Sequence, residues 1–287
     1  MPADRVQIVE VGPRDGLQSE PSILPTVKKV KLIQRLMDAG LRRIEATSFV
    51  SPSAVPQLAD AEELLATIGR PDDLEISALV PNMRGFERAV GASVNRIAVF
   101  TSASETFAIR NVRCDIDESF RRFEPVIGLA LEAGIAVRGY VSMAWHCPYE
   151  GAIDARAVVA IGQRLDALGC DEIALADTVG QASPVEVRGL LERMGAVIPV
   201  ERIAVHLHDT SGRAVANVEA AVEEGVRVFD GAVAGLGGCP FAPGSPGNLS
   251  TETLVDTLTR LGFRTGVDLE VLAEAAAIVR PLTRRAA

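Results

Sequence analysis

The sequence predicts an α/β fold, a (β/α)8 TIM barrel with an extra C-terminal helical segment. Three observations predict it. Eight short β-rich runs alternate with longer stretches of helical spacing along the 287 residues. The runs are dominated by Val, Ile and Ala, the pattern of parallel strands buried beneath helices. Polar residues able to do chemistry recur just after runs that lie far apart in sequence, and a barrel gathers its strand ends at one mouth. A doubly wound open sheet is the structural alternative. It usually has fewer strands and gives no reason for that scatter. No linker or low-complexity stretch divides the chain, so residues 1–287 read as one catalytic domain.

The elements follow in order. The first strand is expected over 6–11, Val-Gln-Ile-Val-Glu-Val. The helix after it is marked by Leu32, Ile33, Leu36 and Met37, and Ala39-Gly40 supplies a C-terminal stop. Strands are then expected over 42–47, 75–80, 95–101, 136–142 and 171–176. Ahead of the last of these, Val158, Val159, Ile161, Leu165 and Leu168 mark a helix closed by Gly169. The seventh and eighth strands are expected over 203–208 and 227–233. A Gly- and Pro-rich segment at about 235–250 then reads as a lid loop, because loops of that length in compact domains are often functional. Residues 264–282, with Leu269, Val271, Leu272 and Ile278, read as a closing helix.

Composition excludes several classes. Hydrophobic residues make up 48% and charged residues 23%, a globular balance. The net charge of -9 argues against nucleic acid and anionic membrane as partners, since both need basic patches. No apolar run is long enough to span a bilayer. Cys114, Cys147, Cys170 and Cys239 form no CxxC pair, and no secretory or organellar leader is visible, so a reducing, cytoplasmic setting is expected.

The most informative residues are His206 and His208, two of only three histidines. Strand alternation points both imidazoles to one face and Leu207 to the other. Two imidazoles side by side near a strand end read as half of a metal site, and a pair of satisfied core histidines is the plainer alternative. Other strand ends contribute Arg14, Asp15 and Gln18; Glu45, Thr47 and Ser48; and Asp177 and Thr178. Cys239 and Asn248 lie in the loop after the eighth strand. Asp15, His206, His208 and Asn248 together make an oxygen and nitrogen shell that suits Mg2+ or Mn2+ better than a structural zinc. Taken singly, Asp15 reads equally as a loop cap and Asn248 as a turn residue. Arg14 is placed to stabilise a developing enolate, or to form a structural ion pair with Glu45 or Asp177. Cys239, flanked by Gly238 and Pro240, is a candidate for proton transfer, or a small buried hydrophobe. The other three cysteines keep that second reading. Glu45 and Asp177 are expected to orient ligands or Arg14. The only lysines, Lys28, Lys29 and Lys31, cluster on the first helix and none sits at a strand end, which argues against a Schiff-base mechanism from a barrel lysine.

Five segments together resemble the 3-hydroxy-3-methylglutaryl-coenzyme A (HMG-CoA) lyase family. They are Val11-Gly-Pro-Arg-Asp-Gly-Leu-Gln18, Glu45-Ala-Thr-Ser-Phe-Val-Ser-Pro52, Cys147-Pro-Tyr-Glu-Gly151, His206-Leu-His-Asp-Thr210 and Ala234-Gly-Leu-Gly-Gly-Cys-Pro240. The resemblance runs from about residue 5 to residue 275. It implies retro-Claisen cleavage of an acyl-CoA substrate to acetyl-CoA and acetoacetate. It implies Asp15, His206, His208 and Asn248 as ligands of the divalent cation, Mg2+ or Mn2+. It implies Arg14 and Cys239 as catalytic residues supported by Glu45 and Asp177. Gln18, Ser48, Asn111 and Thr178 are expected to bind substrate, and a homo-oligomer, dimer or higher, is expected. The chain departs from the family pattern at Ala174-Leu175-Ala176, at Trp145-His146 and at Phe100-Thr101-Ser102, all near the expected mouth. These departures bear on the acyl group rather than on the metal chemistry.

Related lyases acting on citramalyl-CoA or on a longer branched 3-hydroxyglutaryl-CoA are the alternatives within the superfamily. A condensing synthase is disfavoured because such enzymes usually carry a further C-terminal region. A barrel that binds a CoA ester without turning it over is the alternative from another class. The full set Arg14, Asp15, His206, His208, Cys239 and Asn248 argues against it.

Overall fold

Strand alternation sorts the side chains of this fold into two sets, one facing the barrel interior and one facing the helices. The computed structural model describes residues 4–69, 71–92, 94–237 and 247–283. Its barrel strands are β1 Gln7–Glu10, β2 Arg43–Ser48, β3 Glu75–Leu79, β4 Arg96–Ser102, β5 Ala136–Ser142, β6 Glu172–Asp177, β7 Ile203–Leu207 and β8 Val228–Gly231. Every neighbouring pair is parallel, and the order β1-β8-β7-β6-β5-β4-β3-β2 closes on itself. The fold is therefore the (β/α)8 barrel expected from the sequence.

The helices are α1 Thr26–Asp38, α2 Ala61–Ile68, α3 Met83–Gly91, α4 Glu105–Val112, α5 Ile116–Glu132, α6 Ala155–Ala167, α7 Pro184–Gly195, α8 Ala214–Glu223, α9 Thr251–Arg260 and α10 Leu269–Thr283. Helix α1 ends where expected. Gly40 follows it with φ +95, and a side chain there would run into the Gly266 carbonyl. None of the helices among the described residues is long and apolar enough to cross a membrane.

Each strand sends at least one large apolar residue outward. Ile8, Ile44, Ile76, Ile97, Val137, Ile173, Val205 and Phe229 are buried in the main core between sheet and helices. The inward set is different. Val9, Ala98, Ala174, Ala204 and Val228 form a second, smaller cluster with Tyr140. Three of these are alanines, and the space they leave holds buried charged side chains: Arg43, Glu45, Arg138, Glu172 and Asp230. The apolar runs in the sequence thus conceal a polar barrel interior, carried by single charged residues set between apolar ones.

Two details differ from the sequence reading. Strand β8 stops at Gly231 because the chain turns into a short 3-10 segment, Val233–Gly235. The C-terminal region holds two helices rather than one, since α9 begins directly after Ser250. Most of the expected lid, residues 238–246 with Gly238 and Cys239, lies outside the described residues.

Candidate active site

The mouth is built from the chain just beyond β1, β2 and β7 and from the segment leading into α9. After β1 the backbone makes one π-type turn, Gly12–Gly16, with Pro13 at its start. Turns of this kind are short and concentrate at functional sites. It presents Arg14 and Asp15 side by side, and Arg14 Nη1 donates to Asp15 Oδ1 at 2.6 Å. Arg14 Nη2 donates to Glu45 Oε2, on β2, at 2.7 Å. Arg14 and Glu45 are both buried. Burial disfavours the Arg14 cation, but the Glu45 and Asp15 charges outweigh it and keep the guanidinium protonated. Burial raises the Glu45 carboxyl, and Arg14 partly offsets that.

His206 and His208 face the same side, with ring centroids 5.3 Å apart, and Leu207 packs into the outer core. One ligand atom from each of Asp15, His206 and His208 lies within 4.8 Å of the others. Asn248 completes the group. Its Nδ2 donates to Asp15 Oδ2 at 2.9 Å and to the Leu236 carbonyl at 3.1 Å, and its backbone pairs with His208.

The donor set fits a divalent cation. His208 Nδ1 and Asn248 Oδ1 are buried without a hydrogen-bond partner among the described residues, a cost that a cation would relieve. The His208 imidazole suits the role too. Burial, then the neighbouring His206 charge, depresses His208 to about 3, which keeps it neutral. Burial also disfavours the His206 cation, but its hydrogen bond to Asp230 raises its pKa overall. That bond joins His206 Nδ1 to Asp230 Oδ2 at 3.1 Å and leaves Nε2 for the mouth. Burial opposes ionisation of Asp15, yet Arg14 and the two histidines hold its carboxyl well below the usual range.

A cavity of about 440 Å³ opens at this cluster. Gln18, Asn111 and Thr178, expected from the sequence to bind substrate, all line it. Thr178 Oγ1 also accepts the Met143 N–H at 3.0 Å. Leu79, Phe100, Phe107 and Phe123 give the cavity an apolar share of its lining.

Other expectations are corrected. Ser48 is not in the cavity wall; its Oγ accepts the Val50 N–H at 3.3 Å, a local turn contact. The Asp177 carboxylate is taken up by the backbone N–H groups of Gln181 and Ala182, at 3.2 and 3.0 Å, rather than by Arg14 or either histidine. It shapes the connection into α7. Trp145 is in the helix layer, its Nε1 donating to the Glu186 carbonyl at 3.1 Å, so it does not reshape the mouth. Of the departures from the family pattern, Ala176 and Phe100 do line the cavity. Cys114, read as a plain core residue, lines it as well. Cys147 lies 3.0 Å from Ser104 Oγ, and burial pushes the Cys170 thiol up to about 12. Cys239 lies outside the described residues.

Sequence reasoning missed Asp230, Tyr140 and Arg138. Arg138 Nη2 donates to Asp230 Oδ1 at 2.6 Å and Nη1 to Tyr140 Oη at 3.0 Å. Tyr140 lines the cavity with its hydroxyl 3.2 Å from Asp230 and 3.3 Å from Glu45. The available signal was a charged or phenolic residue inside an apolar strand, at Arg138-Gly139-Tyr140 and at Asp230.

A family model described as HMGL-like matches residues 5–279. The mitochondrial hydroxymethylglutaryl-CoA lyase of Rattus norvegicus is 51% identical over 271 residues, covering 94% of this chain and 83% of that protein. The crystal structure of the HMG-CoA lyase from Brucella melitensis matches with a TM-score of 0.96 at 49% identity, covering 99% of this chain and 100% of that one. An HMG-CoA lyase from Acinetobacter baumannii, in complex with coenzyme A and 3-methylmalate, matches with a TM-score of 0.92 at 41% identity over 97% of this chain and 91% of that one. With its whole barrel matched at this level, the chain belongs to the HMGL-like family.

Proposed function

We propose that this protein is an acyl-CoA lyase that cleaves 3-hydroxy-3-methylglutaryl-CoA to acetyl-CoA and acetoacetate with the help of Mg2+ or Mn2+. The observation that carries this reading is the convergence of Asp15, His206 and His208 at the barrel mouth beside a buried Arg14. The relatives named above as hydroxymethylglutaryl-CoA lyases, one of them holding coenzyme A and 3-methylmalate, support the substrate class.

Asp15, His206, His208 and Asn248 would hold the cation. When bound, it supplies Lewis-acid polarisation of substrate oxygens. The chain's own groups do the rest. In the retro-Claisen reaction the C3 hydroxyl loses its proton, the C2–C3 bond breaks, and the electron pair moves into the thioester as an enolate. Asp15 is the one carboxylate among the described residues that line the cavity, so we assign it the hydrogen bond that orients the C3 hydroxyl, whose proton passes on to solvent at the open mouth. Arg14, held by Glu45, faces the developing negative charge with a donor fixed beforehand. The enolate must then be protonated at C2, and Cys239 is assigned that step on the family resemblance. Gln18, Asn111 and Thr178 are assigned to substrate contacts within the cavity. Asp230 keeps His206 in one tautomer and orientation.

Steady-state kinetics on a panel of 3-hydroxyacyl-CoA esters, each with Mg2+, Mn2+ or chelator, test the reading. Metal-dependent release of acetyl-CoA from the hydroxymethylglutaryl ester above the citramalyl and longer esters is expected. Equal turnover after chelation, or no turnover of any ester, would overturn it.

A further inference from the structure

Glu10, the last residue of β1, has no exposed surface and is absent from the cavity wall. Its neighbours Val9 and Val11 face the barrel interior, so its own side chain points outward, the same way as the apolar Ile8. A carboxyl group there calls for a cause, because burying one costs free energy unless it is hydrogen-bonded.

Its partners supply the cause. Oε1 accepts the backbone N–H of Gly12 at 2.8 Å and of Val233 at 2.9 Å. Oε2 is hydrogen-bonded to the Thr251 hydroxyl at 2.6 Å. Gly12 opens the turn that carries Arg14 and Asp15. Val233 opens the turn leading to Leu236 and Gly237, whose carbonyls accept from Asn248 Nδ2 and the Asn248 N–H. Thr251 stands three residues after Asn248, at the first position of α9. One carboxyl group therefore joins three segments that bear on the Asp15 and Asn248 groups from both sides.

The surrounding glycines fit the same clamp. A Cβ on Gly12 would lie 2.6 Å from Glu10 Oε1, and one on Gly231 would lie 2.8 Å from Thr251 Oγ1. Both positions are held free of side chains by the contacts of Glu10 and Thr251.

We propose that Glu10 is a positioning residue that sets the spacing between Asp15 and Asn248 through Gly12, Val233 and Thr251, and so tunes cation affinity without touching substrate. The proposal rests on the cation reading above. Glutamine is the conservative replacement, since its carbonyl accepts both N–H groups and its amide donates to Thr251. Burial raises the Glu10 pKa to about 8, so at neutral pH a protonated carboxyl makes that same pattern.

The experiment is a calorimetric titration of the metal-free, substrate-free protein with Mn2+. The variants are Glu10→Leu, Glu10→Gln, His206→Ala and the core control Leu258→Ala, which sits on α9 away from the clamp. Glu10→Leu is expected to weaken Mn2+ binding about 10-fold or more, the scale of an outer-shell loss. Glu10→Gln should bind close to wild type, and Leu258→Ala should lose stability while keeping its affinity. Should Glu10→Leu fail to fold, Thr251→Val removes only the hydroxyl and is expected to weaken binding several-fold. Wild-type affinity in Glu10→Leu or Thr251→Val, an equal loss in Leu258→Ala, or no recovery in Glu10→Gln overturns the clamp while leaving the cation reading in place. Mn2+ binding that survives His206→Ala overturns the cation reading, and the clamp with it.

Discussion

The barrel interior has two polar ends that obey opposite rules. At the floor, every cation is matched. Arg43 makes a two-pronged contact with Glu172 at 2.9 Å and a third bond to Glu75 at 2.7 Å. Arg96 meets Glu75 and Asp171, and Arg138 meets Glu172 and Asp230. At the mouth, Gln18 Oε1, Glu45 Oε1, Thr47 Oγ1, His208 Nδ1 and Asn248 Oδ1 are buried without hydrogen-bond partners among the described residues. Both ends hold charge at similar depth, so burial does not separate them. What separates them is the kind of atom left over: on the floor Arg96 Nε and Arg138 Nε lack an aligned hydrogen bond but lie 3.0 Å from the Glu75 and Glu172 carboxylates, whereas the mouth leaves acceptor atoms over. A floor whose charges are paired within the fold is a scaffold, and a mouth with acceptor atoms left over is suited to a cation from outside.

The strongest break in this contrast is expected at His206. His206→Ala removes a proposed ligand outright and should weaken Mn2+ binding by more than about 100-fold, beyond the usual cost of losing a residue that only supports a ligand. Turnover should vanish with it, while urea denaturation of the metal-free protein shifts little. Undiminished turnover at low Mn2+ would erase the distinction between the two ends. Next comes Arg14→Met, expected to lower kcat by about 10²-fold or more with little change in KM, since the contact is made in the transition state. A change confined to KM would return Arg14 to the scaffold.

The floor should respond the other way. Arg43→Met leaves Glu172 and Glu75 short of a partner, and losing one member of a buried pair costs about 3–5 kcal/mol. Urea denaturation should show that loss, while kcat per correctly folded molecule stays near wild type. A large kcat defect in the folded fraction would mean that the floor takes part in the chemistry.

The last test concerns pH and stability. The Glu10 carboxyl is raised by burial from 4.5 to about 8 in the fold. A raised folded pKa gives stability that is complete below the unfolded value and is lost as pH rises through the folded one. From about pH 5 to 8 the metal-free wild type should therefore lose stability relative to Glu10→Gln. Melting temperatures of the two, compared across that window, should diverge in favour of the glutamine variant. A constant difference would mean that Glu10 ionises normally in the fold.

The strands were legible because an outward Ile, Val or Phe recurs at every one of them, and that signal needs no knowledge of neighbours. The histidine pair was legible for the same local reason, since two residues on one strand fix their own relative direction. Asp230, Arg138 and Glu10 were not legible as parts of the site. Each is a single charged residue in an apolar run, and its meaning depends on a partner tens to hundreds of positions away. Asp177 and Ser48 show the converse limit. A polar side chain at a strand end can address the mouth or the next few backbone N–H groups, and sequence position does not distinguish the two.

The side chains of Asp15 and Asn248, the first and last of the proposed ligands, meet across 233 residues of chain, through the β1–β8 seam that closes the barrel. During synthesis the first ligand emerges long before the last, and no partial barrel holds both. Contacts of such long sequence separation form late and slow folding down. Cation capture therefore reports on ring closure itself, and a cation present during refolding should stabilise the finished barrel without rescuing any earlier intermediate.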